Sequence, residues 1–192
     1  MVVGITGGIG SGKSTIVKMF ANIGDVAVYY ADKEAKELMH TSIEIKQKLI
    51  KEFTEKAYVD GKLNRPFIAG IVFKDKAKLQ ILNNIVHPAV YKHLKTFITQ
   101  NKHKDYILYE NAILFENKSD AFCDKIITVI APIEDRIKRV IKRDQITEKE
   151  VIARIDNQWN EVKKTLQSHY VIDNRTLSES KLQVFKIHNK LT

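Results

Sequence analysis

A chain of 192 residues with 44% apolar side chains can build one globular core with an insertion or two, and is too short for a large motor assembly. Its 32 basic and 23 acidic residues leave a net charge of +9, which suits polyanionic partners, whether nucleic acid or small ligands carrying several phosphates. The single cysteine, Cys123, excludes an intramolecular disulfide and a cysteine-built zinc site, and no run approaches the roughly 18 apolar residues of a membrane span.

In chain order, VVGI at 2–5 predicts a first strand rather than an export signal, which points to the cytoplasm. A glycine-rich turn follows, then a helix over STIVKMFA, 14–21. VAVYY at 26–30 predicts a second strand, followed by Asp32 and a helical DKEAKELMH. Residues 43–57 predict a helix, YVDGKLNRP a turn-rich break, and 67–100 a helical stretch interrupted at His87–Pro88. Strand patterns return in DYILYE (105–110), KIITVIA (125–131) and HYVIDN (169–174). A long charged helical stretch from Ile133 to Gln167 separates the last two. Short apolar runs alternating with helices predict an α/β fold, a parallel sheet covered on both faces. Residues 40–100 have few β-branched runs and read as a helical insertion. The apolar flank of AFCDKII predicts a core or near-core Cys123 thiol rather than a nucleophile.

The turn after the first strand carries the chemistry. Gly7, Gly12, Lys13 and Ser14 satisfy the pattern G-x-x-x-x-G-K-[ST] between a strand and a helix. Glycines let backbone N–H groups curl around one anion, and the helix adds its unpaired amides and positive end. Gly8, Gly10, Ser11, Gly12, Lys13, Ser14 and Thr15 are therefore expected to hold ATP, with Lys13 on the β and γ phosphates and the Ser14 hydroxyl on Mg²⁺. NKSD at 117–120 fits a guanine-reading N-K-x-D formally, but it precedes its strand and reads as a solvated loop. Chain length favours a small-molecule kinase.

Asp32, past the second strand, is placed either to orient and deprotonate an acceptor hydroxyl or to cap a helix. Glu110 ends a strand and is either a water-mediated Mg²⁺ partner or a polar strand end. Arg139 and Arg143 lie four apart on one helix face, either closing over ATP or facing water.

Further motifs extend along the chain: TGGIGSGKST, YYAD (29–32), DGKLNR (60–65), VFKDKAKLQILNNIVHP (72–88), ILFE (113–116), RVIKRD (139–144) and YVIDN (170–174). Together they resemble the dephospho-coenzyme A kinase family over nearly the whole length. The resemblance implies a three-layer P-loop kinase fold with a five-stranded parallel sheet, a helical acceptor-binding insertion and a lid. It implies a nucleotide-binding core of 1–39, 101–138 and 168–192, an acceptor domain of 40–100 and a lid of 139–167. It also implies transfer of the ATP γ-phosphoryl group to the ribose 3′-hydroxyl of dephospho-coenzyme A, with no nucleic-acid or membrane partner. Asp32 would be the base, Lys13, Arg139 and Arg143 would contact phosphates, and Arg65 and His87 would lie in the acceptor region.

The chain departs from the family pattern in three places. Tyr30 stands where an aspartate is usual, Glu110-Asn-Ala-Ile-Leu-Phe-Glu116 replaces D-x-P-L-L-F-E, and Gln158-Trp-Asn-Glu-Val-Lys-Lys replaces Q-x-x-x-E-x-K. The second departure bears on the Mg²⁺ role of Glu110. A kinase for nucleosides or nucleoside monophosphates, and a nucleotide-dependent nucleic-acid binder, are the competing readings.

Overall fold

VVGIT and YILYE are buried at every position and pair side by side, as strands covered on both faces should. The structure is a computed structural model that describes residues 1–72 and 74–192. Phe73, part of the quoted VFKDKAKLQILNNIVHP run, lies outside the described residues. In order the elements are β1 (Val2–Thr6), α1 (Lys13–Ala21), β2 (Val26–Tyr30), α2 (Ala31–Thr41), α3 (Ile43–Phe53), β3 (Tyr58–Val59), β4 (Lys62–Leu63), α4 (Arg65–Val72) and α5 (Lys76–Gln100). Then come β5 (Tyr106–Glu110), β6 (Lys125–Ile130), α6 (Ile133–Asp144), α7 (Glu148–Asp156), α8 (Glu161–Thr165), β7 (Tyr170–Asp173) and α9 (Leu177–Leu191).

The main sheet has five strands in the order β2-β5-β1-β6-β7, and every pairing is parallel. From central β1 the chain visits one side of the sheet and later the other, so the carboxyl end of β1 is a topological switch point, where α/β sheets open a ligand crevice. Ile16, Val17 and Phe20 of α1 pack with Val184, Ile187 and Leu191 of α9 against Val3, Ile5, Leu108, Ile127 and Val129. Gly4 makes room for another layer, because a Cβ there would lie 2.7 Å from Cys123 Sγ and 2.9 Å from Leu114 Cδ2. Burial, reinforced by Asp120 and Asp124, pushes the Cys123 thiol up to about 12, so it stays protonated at neutral pH, as its apolar flank predicts.

The chain divides into two compact units, Met1–Tyr30 with Gln100–Thr192, and Ala31–Thr99. In the second, Ile45, Leu49 and Phe53 of α3 form a spine at helical spacing, packed with Ala57, Tyr58, Leu63, Ile68 and Val72. α2 belongs to this unit, since the Tyr58 hydroxyl donates to the Met39 carbonyl at 2.6 Å. The observed division therefore falls after β2 rather than at residue 40, and residues 139–167 group with the first unit.

Local details differ from the sequence expectation. The helix expected over 43–57 stops at Phe53, because Thr54 enters the left-handed region (φ 73°) before a 3₁₀ turn at Glu55–Ala57. YVDGKLNRP contains the β3–β4 hairpin, whose Asp60 (φ 49°) and Gly61 (φ 76°) suit a type I′ turn. α5 runs unbroken through Pro88. The stretch 133–167 is three helices, with Gln145 (φ 54°) closing α6 and a Thr147–Glu150 capping box opening α7.

Candidate active site

β1 ends at Thr6, and the chain turns through Gly7–Gly12 into α1. Gly10 (φ 80°) and Gly12 (φ 90°) occupy the left-handed region, where a side chain would also strike the Arg136 backbone and the Asn174 amide respectively. Gly12 is the N-cap of α1 and offers no capping side chain, and no carboxylate occupies the first turn. The first turn of α1 thus adds no acid of its own to the helix's positive end, and Ser14 and Thr15 are exposed upon it. Lys13 is buried, its ammonium donating to the carbonyls of Gly7 (3.0 Å) and Gly8 (3.2 Å). Ser11 is fully buried, and its hydroxyl has no hydrogen-bond partner.

The loop is braced from distant parts of the chain. Arg136 donates from Nε to the Ile9 carbonyl at 2.9 Å and pairs through Nη1 with Glu161 at 3.0 Å. Arg139 reaches the Gly10 carbonyl at 3.4 Å and the Asn174 carbonyl at 3.2 Å. Asn174, just past β7, donates to the Ser11 carbonyl at 2.8 Å and accepts from Ser180 at 2.8 Å. Gln158 Oε1 accepts the Ile9 N–H at 2.8 Å. Next to it, Glu116 Oε1 accepts from the Trp159 N–H at 2.9 Å and pairs with Lys164 at 2.9 Å. Lys164 is fully buried and also donates to the Ala112 carbonyl at 2.7 Å. Burial lowers the Lys164 pKa although Glu116 opposes it, and burial raises that of Glu161 although Arg136 opposes it.

The remaining expected residues are distributed as follows. Glu110 is buried at the end of β5, in register with Ile5 of β1 on one side and Tyr30 of β2 on the other. Burial, helped by the Glu110 charge, raises the Tyr30 hydroxyl pKa. Asp32 is exposed in the first turn of α2, inside the helix rather than at its cap. Arg143 forms a two-point pair with Asp144 at 2.7 and 3.0 Å. In the helical unit, Arg65 is exposed and meets the His40 ring at 3.2 Å. His87 is half-buried, tilted against Tyr91 at 6.0 Å, and burial lowers its pKa. NKSD is not a wholly solvated loop: Asn117 and Lys118 form a turn whose Asn117 Oδ1 accepts the Ser119 N–H, and Ser119, fully buried, opens a 3₁₀ helix over Ser119–Phe122.

Sequence reasoning passed over Arg136, Gln158, Lys164 and Asn174. Arg136 had a signal, since it precedes Arg139 and Arg143 at helix spacing and so shares their face. Gln158 and Lys164 bound the loosely matched QWNEVKK run, and Asn174 closes YVIDN.

A glycine loop leaving the central strand of this sheet, with lysine and serine opening the next helix, defines a P-loop nucleotide-binding protein. The family model described as Dephospho-CoA kinase matches residues 1–179. A dephospho-CoA kinase of Fusobacterium nucleatum subsp. nucleatum is 37% identical over 180 residues, covering 92% of this chain and 90% of that protein. A crystal structure of a Thermus thermophilus protein agrees with a TM-score of 0.89 at 30% identity, over 100% of this chain and 98% of that one. The dephospho-CoA kinase from Campylobacter jejuni shares the fold, with a TM-score of 0.72 at 24% identity over 99% and 96% of the two chains. The chain belongs to the dephospho-CoA kinase family. Among the described residues, no helix is long and apolar enough to cross a membrane.

Proposed function

We propose that this chain transfers the γ-phosphoryl group of ATP to the ribose 3′-hydroxyl of dephospho-coenzyme A, giving coenzyme A and ADP, the final step of coenzyme A synthesis. The observation that carries the reading is a complete phosphate loop at the carboxyl end of the central strand, in a chain matched to that family over residues 1–179. The loop amides and the positive end of α1 would hold the phosphates, and the Lys13 ammonium would exchange the Gly7 and Gly8 carbonyls for β and γ oxygens.

The side chains fit Mg²⁺ arriving with the nucleotide. Ser14 offers an exposed hydroxyl and Glu110 a carboxylate one strand away, while no group of three His, Cys, Asp or Glu among the described residues forms a metal site alone. That thin all-oxygen set suits an ion that keeps waters and phosphates in its shell. Bound there, Mg²⁺ supplies charge neutralisation at the β and γ phosphates.

Asp32, just past β2, would orient the 3′-hydroxyl and take its proton as the oxygen bonds to γ-phosphorus and the bridge to the β-phosphate breaks. Arg139, already on the loop, would stabilise the transferring group, and Arg143 would join by exchanging Asp144 for phosphate. The helical unit, with Arg65 and His87, would bind the acceptor, and the lid proposed over residues 139–167 would exclude water by moving its part ahead of Gln158, since Gln158 and Lys164 are already anchored. Two polyanionic substrates, rather than nucleic acid, would account for the +9 charge, with the cytoplasm as the proposed compartment.

The test is ADP release from MgATP with and without dephospho-coenzyme A, with coenzyme A confirmed by mass. Acceptor-dependent turnover that drops about 10²–10⁴-fold in Asp32→Asn supports both the acceptor and the base. ATP binding without acceptor-dependent turnover would overturn the acceptor and redirect the search to nucleosides and nucleoside monophosphates.

A further inference from the structure

One contact joins the tip of the phosphate loop to a side chain 149 residues further on, Gln158 Oε1 to the Ile9 N–H at 2.8 Å. Arg136 Nε holds the Ile9 carbonyl at 2.9 Å. These two backbone groups belong to successive peptide planes, Gly8–Ile9 and Ile9–Gly10, each with a glycine on its outer side. A backbone of that composition has wide freedom and loses much conformational entropy when ordered. Here each plane is pinned by a different side chain.

Both pins are held in turn. Arg136 is buried and paired with Glu161. Trp159, next to Gln158, is tied through its N–H to Glu116 and lies parallel to Phe115, with ring centroids 6.1 Å apart. Lys164 closes the same segment onto Glu116 and the Ala112 carbonyl. The backbone that carries Gln158 is thus anchored beside the loop, which limits where its side chain can reach.

We propose that Gln158 is a positioning residue for the phosphate loop, orienting the Gly8–Ile9 peptide so that the neighbouring amides converge on the phosphates of ATP. The proposal rests on the kinase reading above. A neutral acceptor suits the task, since a carboxylate would accept the same N–H but place negative charge beside a polyphosphate. A methionine would keep the length and lose the acceptor.

The experiment compares wild type, Gln158→Met and Gln158→Glu by ATP titration calorimetry, Ile9 amide exchange in ¹⁵N spectra, and steady-state kinetics, with melting curves as the folding control. In Q158M, Ile9 exchange should accelerate and ATP affinity fall about fivefold, raising KM for ATP, with kcat and the KM for dephospho-coenzyme A within about twofold of wild type. Q158E should keep Ile9 protected yet bind ATP more weakly, the loss shrinking as salt is raised. Wild-type exchange and ATP affinity in Q158M would overturn the proposal, as would equal losses in both KM values, the mark of general disorder. Should Q158M melt below the assay temperature, an unprotected Ile9 in Q158E would overturn it instead. A wild-type chain that binds no ATP would overturn the kinase reading and this proposal together. ATP binding without phosphorylation of dephospho-coenzyme A would remove only the acceptor, with exchange and affinity still deciding on Gln158.

Discussion

Around α3 the interior of the helical unit is built from Ile45, Leu49, Phe53, Ile68 and Val72, and the burial of apolar area explains its cohesion. Around the phosphate loop the interior contains Ser11, Lys13, Arg136, Lys164 and Asn174, all buried, and directional bonds do much of the holding. The first kind of interior accepts swaps that conserve volume. The second fails when one partner is removed, because the other is left buried and unsatisfied. A loop that must present amides to an anion needs the second kind, since area burial is indifferent to the direction of a peptide plane.

The largest effect should come from the loop itself. Lys13→Ala removes the one ammonium on the Gly7 and Gly8 carbonyls, and ADP release with both substrates should fall about 10²–10³-fold. Retention of full activity would detach the lysine from the chemistry.

Next come two substitutions that set the interiors against each other. Lys164→Met leaves Glu116 without its buried cation and should cost about 3–5 kcal/mol in urea unfolding, only part of it recovered when Glu116→Leu is added, because the Trp159 N–H and the Ala112 carbonyl then lose these partners. Leu49→Ala in the helical unit should cost about 2–5 kcal/mol, and no second substitution should restore it by removing a partner. If the Lys164 and Glu116 changes simply add, the polar interior is not a network.

How legible each region was follows from the same physics. Strands buried on both faces read as unbroken apolar runs, and a loop that needs glycine at fixed positions writes a fixed spacing, so β1, β5, β6 and the phosphate loop were readable. The braces were not. A bond from Gln158 to Ile9 leaves no local period, and a helix face of three arginines does not say that Arg136 and Arg139 turn to the loop while Arg143 turns to Asp144. The expected interruption at His87–Pro88 had a local basis, because proline removes a helical hydrogen bond. Yet α5 continues, with Val86, Val90 and Leu94 forming a buried line along it.

His87, inside that continuous helix, gives the smallest and most discriminating effect. It is half-buried in a unit held mainly by area. Burial lowers its pKa below the ordinary 6.5, so the folded chain favours the neutral ring. Between that ordinary value and the lowered one, the unfolded chain binds a proton that the folded chain does not. Stability should therefore fall as pH drops through 6.5 toward the lowered value, and be unaffected by this group above it. His87→Phe keeps a ring beside Tyr91 and removes the titration. Urea unfolding at neutral pH and about one unit below the ordinary histidine value should show wild type losing more stability than the variant, by less than about 1 kcal/mol. Equal losses would mean that the imidazole takes up its proton alike in the folded and unfolded chains, and that its partial burial does not hold it neutral.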